Sequence, residues 1–382
     1  MKGLILLYWG TVFLMYLSQN YYPVETQLDG RQTGKRHFLL CHSDIFITVI
    51  IAWMTCFSFL RTSYNDTYNY ITMFRDAPSV SEYIAEKGIG LGGNRLSYIY
   101  EAMMHELTDN YHIYFFFPAC LSSYAVVKFF KRYSVNPAFS LLIFFSVGTY
   151  IMYMAALKQC FAMFFLIMSI PYLENKKYGR FYLCVLIAMT FHTHAFMFLL
   201  VPFLCGKPWG KRIWILLGAA IFAMANYDST LGAFMSFAES IGAFVADIEV
   251  FDGHAINMLR VMVYWIPPII ALVFKKRLFR DSTRMENLFV NLSCVSAFIL
   301  TIGLVEGANL YARMAAYFEI FTALALPWMI KKLFTKPSAK IVTGSATVLY
   351  FIYFYYEFAV SKSFDTEYSA ITLWQFFAGL FG

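Results

Sequence analysis

Two polar interruptions of apolar sequence hold the residue types best suited to chemistry. Lys158-Gln159 opens one apolar run, and His192-Thr193-His194 breaks another. Ionisable side chains are costly in lipid and mark functional positions there. Other polar residues accompany them. Asp66 and Tyr70 lie four apart, and Arg95 follows in the same polar stretch. Asn309, Arg313 and Tyr317 stand at i, i+4 and i+8, one face of a helix, with Glu306 just before them. Asp252 and His254 precede Arg260. A lysine gives phosphate a point charge, and an arginine can donate two parallel hydrogen bonds to it. A neutral histidine nearby can accept a proton. Such a set favours phosphate as a leaving group without a metal, because fixed cations stabilise the charge that develops on it.

Each residue also fits a plainer role. Lys158 and Arg313 suit interfacial anchors whose stems lie in apolar surroundings. Either histidine suits a hydrogen bond to a neighbouring helix. Asp66 with Tyr70 suits a solvated turn, and Asp252, His254 and Arg260 suit loop polarity. A metal site is the poorest fit. Residues i and i+2 point to different helix faces, and no Cys, Asp or Glu stands at ligand spacing. No metal or other cofactor is expected.

The elements that carry these groups are apolar. The chain has 382 residues, 60% hydrophobic and 14% charged, where a soluble domain carries roughly 25% charged residues. An all-α, polytopic membrane protein is expected, since lipid demands that backbone groups be satisfied internally. Ten spans are predicted, at about 3–18, 44–60, 111–127, 139–154, 160–173, 213–226, 260–274, 286–304, 314–330 and 341–360. Residues 1–18 resemble a signal peptide but lack a clear cleavage site, so they are kept as the first span. The whole chain, 1–382, reads as one integral membrane domain. The closing stretch 371–382 reads as a packed or frayed tail. The seven cysteines are scattered and show neither a disulfide framework nor a CxxC spacing.

Loop charge orients the spans. Basic loops fall at 128–132, 176–180, 207–212, 275–284 and 331–340 and are placed in the cytoplasm. This rule accounts for the net charge of +7 without nucleic acid. Residues 61–110 and 227–259 are acidic on balance and are placed outside as loops. The segment 181–204 disturbs the alternation. One crossing would put 207–212 outside and invert every later loop. The pattern recovers if this segment enters and returns, with a break at His192-Thr193-His194, as broken helices do where they line an enclosed cavity. Lys158, the histidine pair, Asp66, Tyr70, Arg95, Asn309, Arg313 and Tyr317 then share the outer face.

The order of several short motifs resembles the EpsG-type, Wzy-like polysaccharide polymerases. These are Lys131-Arg-Tyr-Ser-x-Asn136-Pro137, Gly148-x-Tyr150, Ala156-Leu-Lys158-Gln159-x-x-Ala162, Asn175-Lys-Lys-Tyr-Gly-Arg-Phe181 and Ala188-x-x-Phe191-His192-x-x-Ala195. Asp66-x-x-x-Tyr70 and Asn309-x-x-x-Arg313-x-x-x-Tyr317 also match the general pattern. The resemblance covers most of 60–330 and is strongest over 128–200. It implies a GT-C-like, metal-independent glycosyltransferase in the bacterial inner membrane. Such an enzyme joins undecaprenyl-diphosphate-linked repeat units into O-antigen or exopolysaccharide on the outer face. Its implied partners are the lipid-linked oligosaccharide, membrane lipid and a chain-length regulator. Under that resemblance Lys158, Arg313 and Arg95 bind the donor diphosphate. His192 or His194 is the base, with Asp66 in competition, and Gln159, Asn309, Tyr317 and Tyr70 hold sugar or phosphate. Two features depart from the family. Lys158 stands where an arginine is usual, so bidentate binding is lost there. Glu86-Lys87-Gly88 and a glycine-rich stretch replace an acidic-Pro-Gly element. A flippase for the same lipid-linked unit, a ligase and an acyltransferase are the alternatives. A flippase would call for an internal repeat and deeper charges.

Overall fold

The computed structural model describes residues 2–21, 44–88, 93–240, 254–361 and 367–381. Asp247, Glu249 and Asp252, and most of the glycine-rich stretch, lie outside the described residues. The described residues are almost entirely helical. Helices α1 (Lys2–Tyr21) and α2 (Ile45–Phe59) lead to a short strand, β1 (Arg61–Ser63). Three small helices follow, α3 (Thr67–Arg75), α4 (Val80–Lys87) and α5 (Arg95–Leu107). Next come α6 (Tyr111–Tyr133), α7 (Pro137–Ser146), α8 (Thr149–Ala155), α9 (Leu157–Glu174) and α10 (Tyr178–Phe191). A 3-10 helix covers Thr193–Leu204. The second half holds α11 (Lys211–Ala225), α12 (Tyr227–Ser240), α13 (Met258–Val273), α14 (Lys275–Leu278), α15 (Arg284–Ile302), α16 (Ala308–Leu333) and α17 (Lys336–Tyr355). A π turn at Tyr356–Val360, strand β2 (Ser369–Ala370) and α18 (Leu373–Phe381) close it.

Local sequence explains where several of these elements begin. The Asp44 carboxylate accepts from Ile47 N–H and starts α2. Capping boxes start α4 at Ser79 with Glu82 and α15 at Thr283 with Glu286. Pro137 sits in the first turn of α7 behind the cap Asn136. Gly148 takes φ +79, which breaks the expected 139–154 span into α7 and α8 at an angle of 61°.

The expectation of ten spans is corrected. Among the described residues three helices are long and apolar enough to cross a membrane: α6, α9 and α15. The number rises to five if each bent pair, α7 with α8 and α11 with α12, is one span. Expected spans fall short for two reasons. Helices α2 and α13 have 15 and 16 residues, below the roughly 20 a bilayer needs. Helix α16 is long but carries Arg313, Glu319, Lys331 and Lys332. The expected loop at 227–259 also differs, because α12 fills its first part and folds back at 110° to α11.

Polar contacts gather the basic loops at one end of the bundle. Arg132 pairs with Glu174 at 2.9 Å, and Arg284 donates to the Tyr178 hydroxyl at 3.2 Å. Lys275 donates to Trp209 O at 2.6 Å, and Trp328 donates to Glu286 at 2.6 Å. Both ends of the segment 178–204 reach this same end. Asn291 on α15 donates to Leu204 O and Gly206 O at 2.6 and 2.7 Å. Arg284, two turns earlier on that helix, holds Leu173 O and Tyr178. An unbroken helix over 178–204 would set its ends ~40 Å apart. The segment therefore goes out and returns, with its turn at His192. The returning limb is a 3-10 helix rather than a second α half-helix, an unusual length for that conformation.

The all-α expectation needs one small amendment. Strand β2 pairs antiparallel with β1, and Ile371 N–H donates to Leu60 O at 3.0 Å. Phe376 of α18 is buried edge-on against Phe59. The tail is thereby pinned over the end of α2.

Candidate functional site

The turn of the fold-back is held from α5. Helix α10 ends at Phe191, and His192 takes an extended conformation at φ −149, ψ 113. The Ser97 hydroxyl donates to Phe191 O at 2.7 Å. Asn94 accepts from Thr193 N–H at 2.9 Å and so caps the returning helix. Asn94 itself sits in the left-handed region at φ +55, which asparagine tolerates better than most residues. The two histidine rings are 5.1 Å apart. His192 Nδ1 shares a 2.6 Å hydrogen bond with the Tyr317 hydroxyl of α16. Phe234 of α12 stacks on His194 at 6.3 Å, so α12 roofs the turn.

The two cations come from different helices. Lys158 lies in the first turn of α9, and its ammonium sits 3.6 Å above the Tyr98 ring of α5. Arg313 on α16 meets Asp66 at 3.4 Å. Gln159 joins the two helices, with Nε2 donating to Arg313 O at 2.7 Å. Its Oε1 is buried and has no hydrogen-bond partner among the described residues, so it suits an incoming hydroxyl or amide. Tyr70 reaches the backbone of Leu157 at the start of α9 and lies in the field of Arg313 and Asp66. His192 is within electrostatic reach of His194, Arg313 and Lys158.

The structure thus brings together His192, His194, Tyr317, Lys158, Gln159, Arg313, Asp66 and Tyr70. It does not bring in the other two residues in the same way. Asn309 is exposed on the first turn of α16, one turn before Arg313. Arg95 turns its guanidinium toward Gly88, in the field of Tyr83 and Lys87. The rings of Tyr83 and Tyr98, 5.7 Å apart, lie between it and Lys158. Arg260 is corrected from loop polarity to a buried group. It pairs with Glu319 at 3.3 Å, and Thr149 donates to the same carboxylate at 2.9 Å. Among the described residues no three His, Cys, Asp or Glu side chains form a group that could hold a metal ion.

Several residues of this end were not singled out from sequence. Glu101 of α5 is 4% exposed, and its carboxylate accepts from Tyr114 at 2.9 Å. Burial pushes its carboxyl up, and the charge of Lys158 pulls it back down. Arg61 is 1% exposed, lies 4.3 Å from the Phe115 ring, and donates to Met154 O at 3.0 Å and to Ser58 O. It therefore ties the ends of α2 and α8 together just before Lys158, a favourable place for a cation. Asn94, Glu101 and Arg61 all lie in polar stretches, where one more polar residue has no contrast. A buried-face pattern in α5, with Ser97, Glu101 and Met104 inward, is the one signal that could have found Glu101.

Apolar helices around a cluster of cations, histidines and tyrosines define a membrane protein with a polar site at one end of its bundle. A family model, that of the EpsG family, matches residues 44–372. The chain belongs to the EpsG family, which gives it a polysaccharide-polymerase-like role. No curated protein and no solved structure matches the chain.

Proposed function

We propose that this chain joins undecaprenyl-diphosphate-linked oligosaccharide repeat units into O-antigen or exopolysaccharide, as a metal-independent glycosyltransferase. The site would face the outer side of the bacterial inner membrane, in a multi-pass chain forming one membrane domain. A chain-length regulator would be a partner. The supporting observation is that two cations on separate helices, Lys158 and Arg313, lie within electrostatic reach of one histidine, His192. Arg313 and Lys158 would hold the donor diphosphate, with Arg95 and Asn309 further out along the donor. The bond between C1 of the growing chain and its phosphate oxygen breaks, and the electron pair leaves on the phosphate. The acceptor hydroxyl oxygen bonds to C1, and its proton passes to His192. With Nδ1–H donated to the Tyr317 oxygen, His192 presents the lone pair of Nε2 for that proton. His194 would orient the acceptor, and Asp66 is the competing base. Gln159 and Tyr70 would hold sugar or phosphate.

The test is single replacement of His192, His194, Lys158 and Arg313 by Ala in a strain lacking its own polymerase. Shortened or absent polymer is expected. Normal long chains from all four would remove this assignment.

A further inference from the structure

Glu101 has no place in the binding scheme above, yet its buried carboxyl lies within electrostatic reach of Lys158. It lies on α5 one turn after Tyr98, whose ring carries the Lys158 ammonium. A carboxylate there competes with any anion for that lysine. Arg313 pairs directly with Asp66 at 3.4 Å, whereas Lys158 acts on the Glu101 carboxyl through its charge. Each of these two cations thus has a carboxylate within electrostatic reach, and in the Lys158 case the carboxylate is buried. Its other neighbours are Tyr114, which donates to it, and Tyr70 and Tyr83, which lie in its field with Arg95 beyond.

We propose that Glu101 is the counter-charge of Lys158 and sets the release of the diphosphate product. This rests on the polymerase reading. The donor diphosphate is esterified at both ends, whereas the product is esterified only by the lipid. Breaking the C1–O bond leaves the product one more ionisable oxygen and hence more negative charge than the donor. A site made only of cations would hold the product more tightly than the substrate. A fixed carboxylate beside one cation penalises the more charged species most. Glu101 acts through Lys158 and is a positioning residue, not a catalytic one.

The experiment uses the purified full-length chain, with undecaprenyl diphosphate as the probe and polymerisation as the readout. In Glu101→Gln the amide oxygen still accepts from Tyr114. This variant is expected to bind undecaprenyl diphosphate on the order of tenfold more tightly, with KM for the donor lowered and kcat lowered with it. Glu101→Asp should restore wild-type behaviour. Tyr114→Phe removes the hydrogen bond and keeps the charge, and should bind like wild type. Unchanged or weaker binding by Glu101→Gln overturns the proposal, as does a Tyr114→Phe variant that behaves like Glu101→Gln. If wild type binds no undecaprenyl diphosphate, the polymerase reading fails first and takes this inference with it.

Discussion

Replacing Arg313 by Ala separates a binding role from a structural one. The Arg313 and Asp66 side chains are 29% and 39% exposed and meet at 3.4 Å. A pair at that distance in water-like surroundings gains about 1 kcal/mol, much of it offset by side-chain ordering and screening. The hydrogen bond from Gln159 goes to the Arg313 backbone and survives the change. Stability should therefore fall by less than about 1 kcal/mol, read as a small shift in thermal unfolding of the detergent-solubilised protein. Activity should respond very differently. Two charge-assisted hydrogen bonds to a diphosphate contribute roughly 1.5–3 kcal/mol each, so kcat/KM should drop a hundredfold or more. Arg313→Lys should recover only part, because the planar fork is lost. A variant that unfolds, or one that folds and polymerises at the wild-type rate, would refute this reasoning.

Three further outcomes follow from the same geometry. Tyr317→Phe removes one hydroxyl and leaves His192 Nδ1 without its 2.6 Å partner, so kcat should fall about ten- to hundredfold in steady-state polymerisation, with the fold kept. Arg61→Met strips donors from Met154 O, Ser58 O and Thr67, and should destabilise by about 3 kcal/mol or more in a thermal or chemical unfolding assay. The Glu101 carboxyl is pushed up by burial, so its proton binds more tightly in the folded than in the unfolded chain. Its contribution is thus fully present below the unfolded value of about 4.3 and is lost as pH rises through the folded value. Wild type should lose stability relative to Glu101→Gln over that rise, and parallel unfolding midpoints across pH would contradict it.

The legible parts of this chain were the ones with contrast. Lys158 and the histidine pair stand out because apolar residues surround them, and the turn at His192 follows from loop charge together with that polar pair. The spacing of Asn309, Arg313 and Tyr317 gave the helix face, although Asn309 lies too near the start of α16 to be covered. The span count failed for a physical reason. Hydropathy adds up apolar residues but does not register a break such as Gly148, nor that an apolar helix such as α2, with 15 residues, is too short to span. Helix α12 was hidden because its segment was read by its acidic residues. Leu231, Phe234 and Phe237 are spaced as a helical face, and Phe234 and Phe237 do pack on the fold-back, at His194 and Phe196. The roles of Asn94 and Glu101 were not legible because they depend on long-range partners, Thr193 and Lys158, although the face pattern of α5 could have marked Glu101 as buried.

The central claim is tested most directly by polymerisation in vitro. Purified protein would be given one defined undecaprenyl-diphosphate-linked repeat unit, with and without a chelator, and the products sized on a gel. The account predicts a ladder of polymer in both arms and release of undecaprenyl diphosphate with each addition. Absence of a ladder in both arms, or a ladder that the chelator abolishes, would contradict it.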